Sequence, residues 1–243
     1  MVINYYQFKK VEKMKNNYNV VLWDVDTQVD FMENSAHNQK GYDGKLAIAD
    51  AMSIADNLRV LTNYGRENSL PIFGSVDWHS SQSGEFPREW ENADFVNTFP
   101  PHCIAGSYGA EKISATNPVN PFFVNYGGEL DSKSLVEKIK KHSGDVFFRK
   151  DAFDVFSSQG NPYAKSVVEQ LGIKKAIVYG VALEVCNNYA VNGLRDLGVE
   201  VYAVEDAMKA INENSRAQIL DAWRSNGVKV VKLEDVLNSV WLR

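Results

Sequence analysis

Only two cysteines, Cys103 and Cys186, occur in 243 residues. That is too few to staple a chain of this length, so no disulfide framework is expected and both thiols are read as reduced. No apolar run approaches the roughly 20 residues that a helical membrane span needs, so no membrane association is expected. The opening MVINYYQFKKVEKMKNNYN is polar and lysine-containing, without the apolar centre of a secretory leader, and the expected location is the cytoplasm. Basic residues are not in excess either. Lys and Arg at 26 against Asp and Glu at 31 give a net charge of −5, and no basic block is present to track a phosphate backbone, so nucleic acid is not an expected partner. Internal repeats and low-complexity stretches are also missing. Apolar side chains are what the sequence has in quantity: 44% of residues are hydrophobic and 12% aromatic, enough for one good core. A single domain over residues 1–243 is expected, with 1–17 an N-terminal extension of no evident chemistry.

Short apolar runs at 19–23, 70–76, 145–149, 176–179, 199–204 and 228–231 read as strands. Apolar residues at helical spacing fill the intervals at 45–64, 130–141, 162–171, 184–198, 215–226 and 234–240. Strands separated by helices, repeatedly, predict an α/β fold of three layers: a six-stranded, mostly parallel sheet with helices on both faces. Residues 80–120 are long, turn-rich and aperiodic, and a loop region of this length in a compact domain is usually functional or mobile.

The chemistry gathers at strand ends, where open parallel α/β sheets collect catalytic groups. Cys186 falls in the first turn of the helix after the fourth run. Unpaired backbone N–H groups and the helix dipole there favour a thiolate and suit an oxyanion. A lone cysteine is more often a small core residue, so the assignment depends on partners elsewhere. Run 19–23 delivers Asp24, Asp26 and Asp30 in DVDTQVDFM, although most aspartates at such places are caps or turn formers. Run 70–76 ends in Asp77-Trp78-His79, whose first and third side chains share a direction on extended backbone. His102 follows two prolines that stiffen its approach. A carboxylate and two imidazoles together suit Zn²⁺, Fe²⁺ or Mn²⁺, with zinc favoured. Run 145–149 ends at Lys150, ordinarily a solvated charge.

Taken together, D-T-Q-V-D-F at 26–31, D-W-H at 77–79, F-P-P-H-C at 99–103, Lys150 and G-V-A-L-E-V-C at 180–186 resemble the nicotinamidases, which are isochorismatase-like cysteine hydrolases. The resemblance spans about residues 19–205. It implies a catalytic triad of Asp26, Lys150 and Cys186, and one divalent metal held by Asp77, His79 and His102 with Glu85 as a fourth ligand. It also implies a cis peptide at Val181-Ala182 and an oxyanion hole from the N–H groups of Ala182 and Cys186. Phe31, Phe99 and Phe156, with Val181 of the turn, are the expected walls of a substrate ring, although aromatics at these positions suit a core equally well. Phe99 stands where the family often has Trp, and the segment between His79 and His102 is long. The implied activity is metal-dependent hydrolysis of nicotinamide to nicotinate and ammonia through a Cys thioester. The expected partner is that small amide, with self-association left open. Two alternatives remain at this stage: a metal-independent amidohydrolase of the same superfamily acting on a carbamoyl or ureido substrate, and a non-catalytic metabolite-binding member. Cys103, on locally extended chain beside His102, is expected to point away as a small buried residue.

Overall fold

The first strand, β1 (Val20–Val25), reads VVLWDV and is buried along nearly its whole length, as an unalternating apolar run requires of a strand covered on both faces. Its side chains still divide by parity. Val21, Trp23 and Val25 enter one hydrophobic core and Leu22 the other, because successive strand side chains point to opposite faces. The same division recurs in β5 (Lys175–Val181), where Ala176 and Val178 face one core and Ile177 and Tyr179 the other. The computed structural model describes residues 17–87, 92–95, 98–128 and 131–239. Residues 1–16 of the expected N-terminal extension and Val240 at the expected end of the last helix lie outside these.

The remaining strands are β2 (Ile72–Asp77), β3 (Phe122–Val124), β4 (Val146–Lys150), β6 (Glu200–Lys209) and β7 (Lys229–Val231). They form one sheet in the order β3-β4-β2-β1-β5-β6-β7, and every pairing is parallel. Helices α3 (Ser132–Lys141), α4 (Ala164–Leu171), α5 (Asn188–Asp196) and α6 (Arg216–Ser225) pack on the core that contains Trp23. Helices α1 (Val29–Met32), α2 (Ala55–Glu67) and α7 (Leu233–Leu237) pack on the core that contains Leu22. The three-layer α/β architecture is therefore the expected one, with seven strands instead of six. The added strand, β3, is three residues long, lies at the sheet edge against β4, and follows directly on Pro121, so its sequence carries too little pattern to be read. Among the described residues no helix is long and apolar enough to cross a membrane.

A second correction concerns residues 45–64. The α-helix begins only at Ala55, after a 3₁₀ turn at Ala51–Ile54 preceded by Asp50 in the left-handed region at φ 57°. The reason lies in Asp30. Its carboxylate accepts the Lys45 N–H at 2.9 Å, its carbonyl accepts Leu46 N–H at 3.0 Å, and the Phe31 carbonyl accepts Ile48 N–H at 2.9 Å. Those amides are committed across the chain and are not free to start a helix. The same carboxylate accepts the Tyr42 hydroxyl at 2.7 Å and the Cys103 N–H at 2.6 Å, so one buried side chain ties three segments of the active-face loops together. A Cβ on Gly109 would fall 2.1 Å from this carboxylate, which makes glycine obligatory there.

Beneath the sheet end, Asp24 and Lys112 form a buried ion pair at 3.0 Å, with Thr27 donating to Asp24 at 2.9 Å. Burial pushes the Asp24 carboxyl up, and Lys112 opposes it. Lys112→Met is expected to cost about 3–5 kcal/mol, because an uncompensated carboxylate is left inside. Adding Asp24→Asn should return part of that loss, and urea unfolding of the two variants reads both effects.

Candidate active site

Four neighbouring strands of the order β4-β2-β1-β5 end at one edge of the sheet, and each contributes one reactive group. In register, Asp77 pairs with Lys150, while Val25 pairs with Ser75 on one side and Gly180 on the other. This is the position just beyond the carboxyl ends of parallel strands where the connection direction switches. Gly180 has φ +126°, and a Cβ there would lie 2.0 Å from the Val25 carbonyl oxygen. Only glycine lets β5 run this close to β1 before the chain turns.

Asp26 leaves β1 at φ 48°. Its N–H donates to the Ser75 carbonyl at 3.2 Å and its carboxylate accepts the Ser75 hydroxyl at 2.7 Å. The other carboxylate oxygen lies 3.0 Å from Lys150 Nζ, and the same ammonium lies 3.6 Å from Cys186 Sγ. Lys150 also donates to Asp77 Oδ1. It is a buried lysine, 1% exposed, with two carboxylates and a thiol around it. Burial alone would lower its pKa, but Asp26, Asp77 and Cys186 together hold it well above the usual lysine value. Burial pushes Asp26 up against the pull of Lys150, with the Asp77 charge acting in the same direction as burial. Asp77 stays well below the ordinary carboxylate range: burial raises it, and Lys150 with the two histidines overcomes that.

The charge state of Cys186 departs from the sequence expectation of a lowered pKa. Burial pushes its thiol well up, Lys150 opposes, and Asp26 and Asp77 add to the rise. One ammonium facing two carboxylates does not leave a surplus of positive charge for a resting thiolate. The sulfur faces the Lys150 ammonium, which is its hydrogen-bond donor, at 3.6 Å.

The chain presents Cys186 through a wide turn. Val181-Ala182 is a cis peptide, at the position the family resemblance implied. Leu183–Asn187 then form a π turn ahead of α5, in which the Ala182 carbonyl accepts N–H groups from Val185 at 3.2 Å and Asn187 at 3.0 Å. Nothing in the residue spacing signals this extra width. Glu184, within the same motif, accepts the N–H groups of Ile211 at 3.0 Å and Asn212 at 2.7 Å, fastening the segment after β6 to the cysteine turn.

Beside the triad, Asp77, His79 and His102 place ligand atoms within 4.8 Å of one another, all three residues buried. Both imidazole Nε2 atoms lie 3.6 Å from Asp77 Oδ2, and Glu85 Oε2 lies 3.8 Å from His79 Nε2. His79 Nε2 and Glu85 Oε2 are buried without a hydrogen-bond partner, as donor atoms reserved for an ion would be. The two nitrogens and the Asp77 carboxylate fit a divalent transition ion, while Glu85 approaches His79 from outside that group. Each imidazole is oriented through its other nitrogen. His102 Nδ1 donates to the Pro100 carbonyl at 2.8 Å, and His79 Nδ1 lies 2.5 Å from Asp151 Oδ1, which also accepts the Ser83 hydroxyl at 2.6 Å. Burial would lower His79, but Asp151 and Asp77 outweigh it and push it up to about 9. Asp151 and Ser83 went unread because their part depends on where a neighbouring ring faces. Their only sequence signal is Asp151's place next to Lys150.

A cavity of about 340 Å³ opens onto Asp77, His102 and Cys186, with Phe31, Phe99 and Val181 among its walls. Phe31 lies 5.3 Å and Phe99 6.4 Å from the His102 ring. Phe156 is not there. It packs on Trp23 at 5.4 Å in the opposite core, because residue 156 follows β4 onto the other face of the sheet. Cys103 is fully buried outside the cavity, with Sγ 3.9 Å from the Gly109 carbonyl, and burial pushes its thiol well up. Its backbone is left-handed at φ 44°, not extended as expected, since its N–H must reach Asp30. A larger cavity, about 440 Å³, lies at the opposite strand ends around Ile72 and Val146, away from all these groups.

Comparison with known proteins agrees with this geometry. Residues 129–235 match the Isochorismatase domain. Over 181 residues the chain is 23% identical to the nicotinamidase of Escherichia coli (strain K12), covering 70% of this chain and 77% of that one. An isochorismatase family protein from Desulfovibrio vulgaris subsp. vulgaris str. Hildenborough superposes with a TM-score of 0.69 at 18% identity, over 93% of this chain and all of the other. The pyrazinamidase of Pyrococcus horikoshii, solved in complex with zinc, gives 0.64 at 22% identity, over 88% and 99%. The superpositions show that the chain shares the fold of these proteins, and the domain match covers less than half of its length.

Proposed function

We propose that this protein hydrolyses nicotinamide to nicotinate and ammonia, with Cys186 as nucleophile, Asp26 as the proton-transfer group and Lys150 as the cation that holds both. The observation that carries the reading is the convergence of Asp26, Lys150 and Cys186 at 3.0 and 3.6 Å beside the Asp77, His79 and His102 group. The Cys186 proton passes to Asp26 as Sγ bonds to the amide carbon, and the carbonyl electron pair moves onto oxygen. The N–H groups of Ala182 and Cys186 receive that oxyanion. Collapse breaks the C–N bond, Asp26 returns the proton to the departing nitrogen, and ammonia leaves a Cys186 thioester. Water then gives a proton to Asp26 and attacks the thioester. The sulfur leaves and recovers its proton, and nicotinate is released. Raised by burial, Asp26 is suited to carry a proton between these steps.

Asp77, His79 and His102, with Glu85 beside them, would hold a divalent transition ion, zinc favoured over iron or manganese. Bound there, such an ion supplies a Lewis acid for the ring nitrogen of the substrate and so a fixed ring orientation. Phe31 and Phe99 would flank that ring. A nucleophilic thiol needs reducing surroundings, and both cysteines are free, in keeping with action in the cytoplasm. The metal-independent and non-catalytic alternatives gain no observation in their favour, since neither needs His79 and His102 to converge. Ammonia release from nicotinamide, assayed with metal analysis of the same sample, tests the proposal. Turnover with a stoichiometric transition metal is expected, and a metal-free protein that deamidates only ureido compounds would overturn it.

Asp151 supplies a further expectation for the same site. With its carboxylate holding His79 Nδ1, His79 presents Nε2 to the ion, and losing such a partner typically costs 10–100-fold in metal affinity. Asp151→Asn should weaken zinc binding by about that factor in competition with a chromogenic chelator. Unchanged affinity would mean that Asp151 only packs.

A further inference from the structure

Resting on the amidase reading of the site, we infer that the substrate class extends beyond an unadorned pyridine carboxamide to aromatic primary amides bearing an apolar substituent, an alkyl group or a second ring, directed at the cavity mouth. A dry cavity of about 150 Å³ lodges one benzene ring, so 340 Å³ is about twice the space that a single six-membered ring occupies. Among the described lining residues, only Asp77, His102 and Cys186 carry polar side chains, and the proposed reaction uses all three. The remaining described walls are hydrocarbon, Leu46, Ile48, Phe95, Phe153, Val185 and Ile211 among them. Water in that part would lack the two to four polar partners it needs, whereas an apolar substituent would lose nothing by entering.

This outer part is a built wall. Leu46 and Ile48 are pinned through their N–H groups to the carbonyls of Asp30 and Phe31 at 3.0 and 2.9 Å. Ile211 is pinned to the Glu184 carboxylate at 3.0 Å, two residues from the nucleophile. At the lip, Phe95 is 61% and Ile211 56% exposed, large apolar side chains left to solvent where a bound substituent would cover them. A purely pyridine-sized substrate would leave that surface uncovered on every turnover.

The test is a series of nicotinamides carrying methyl, ethyl and propyl at ring carbon 5 or 6, followed by ammonia release and, on the Cys186→Ala protein, by calorimetric binding. Each buried methylene contributes roughly a fourfold gain. At one of the two ring positions, kcat/KM and affinity should therefore rise about tenfold by ethyl over nicotinamide. Ile211→Asp, a charge placed on the exposed lip, should reduce the propyl-to-nicotinamide ratio at least about tenfold. Weaker binding of every alkylated amide at both positions, or a ratio indifferent to Ile211→Asp, overturns the inference. If no amide in the series is hydrolysed while the alkylated ones still bind more tightly, it is the amidase reading that fails and the pocket assignment that stands.

Discussion

Replacing Cys186 by alanine is expected to abolish nicotinamide deamidation, by about 10⁴-fold or more, in a protein that stays folded. In the proposed reaction the thiol is the group through which the C–N bond is exchanged for C–S, and no other described side chain near it can take that part. Asp26 and Asp77 are held by Lys150, and the remaining cysteine is walled off. Removing one sulfur from a turn flanked by polar groups should change the melting temperature by only a few degrees. Cys103→Ala makes the contrast. Its sulfur is fully buried and packs near Gly109, so the cost should be about 1 kcal/mol of stability with kcat/KM nearly unchanged. Steady-state ammonia release and thermal unfolding of the two variants decide it. Turnover by a folded Cys186→Ala protein, or loss of turnover in Cys103→Ala alone, would show that the wrong thiol had been chosen.

His79→Ala is expected to strip the bound metal and raise KM by about 100-fold, with a smaller fall in kcat. In the proposed site one imidazole would contribute a ligand nitrogen, and Asp151 holds that ring in place. Without the ion the substrate ring loses its anchor and spends less time with its carbonyl over Sγ. Lys150→Met should give the complementary pattern. The two carboxylates at Asp26 and Asp77 lose their shared cation, so kcat should fall about 10³-fold and stability by about 3–5 kcal/mol. Metal analysis, KM and kcat measured on both proteins separate the patterns. Full metal occupancy with unchanged KM in His79→Ala would remove the metal from the account.

Much of this was legible because strand ends advertise themselves. An apolar run followed at once by Asp26, Asp77 or Lys150 needs no tertiary information to be noticed, and parity along β1 follows from backbone geometry alone. Beyond that, legibility fails wherever the cause is long-range. The amides of Lys45 and Leu46 are drawn away from helix by Asp30 and that of Ile48 by Phe31, so a stripe of apolar residues has the pattern of a helix face although part of it lines a cavity. Phe156 has the sequence setting of a ring-binding aromatic, whereas its place after β4 carries it to the opposite core. The charge state of Cys186 depends on two carboxylates from other strands, and sequence offered only the helix N-terminus as a guide. β3 is too short to leave a period.

Asp77 has one oxygen on the Lys150 ammonium and the other facing the two histidines. Under the proposed mechanism a single carboxylate thus belongs to the acylating machinery and to the ion-binding corner at once. Ion capture and catalytic charge are therefore thermodynamically linked, and such linkage is reciprocal: whatever factor an ion on the histidine side imposes on the grip between Asp77 and Lys150, altering Lys150 must impose on ion affinity. A double-mutant cycle across His79 and Lys150 should therefore be non-additive, by about 0.5–3 kcal/mol as expected of groups sharing one partner. Evolution acting on either half of such a site would retune the other without touching it.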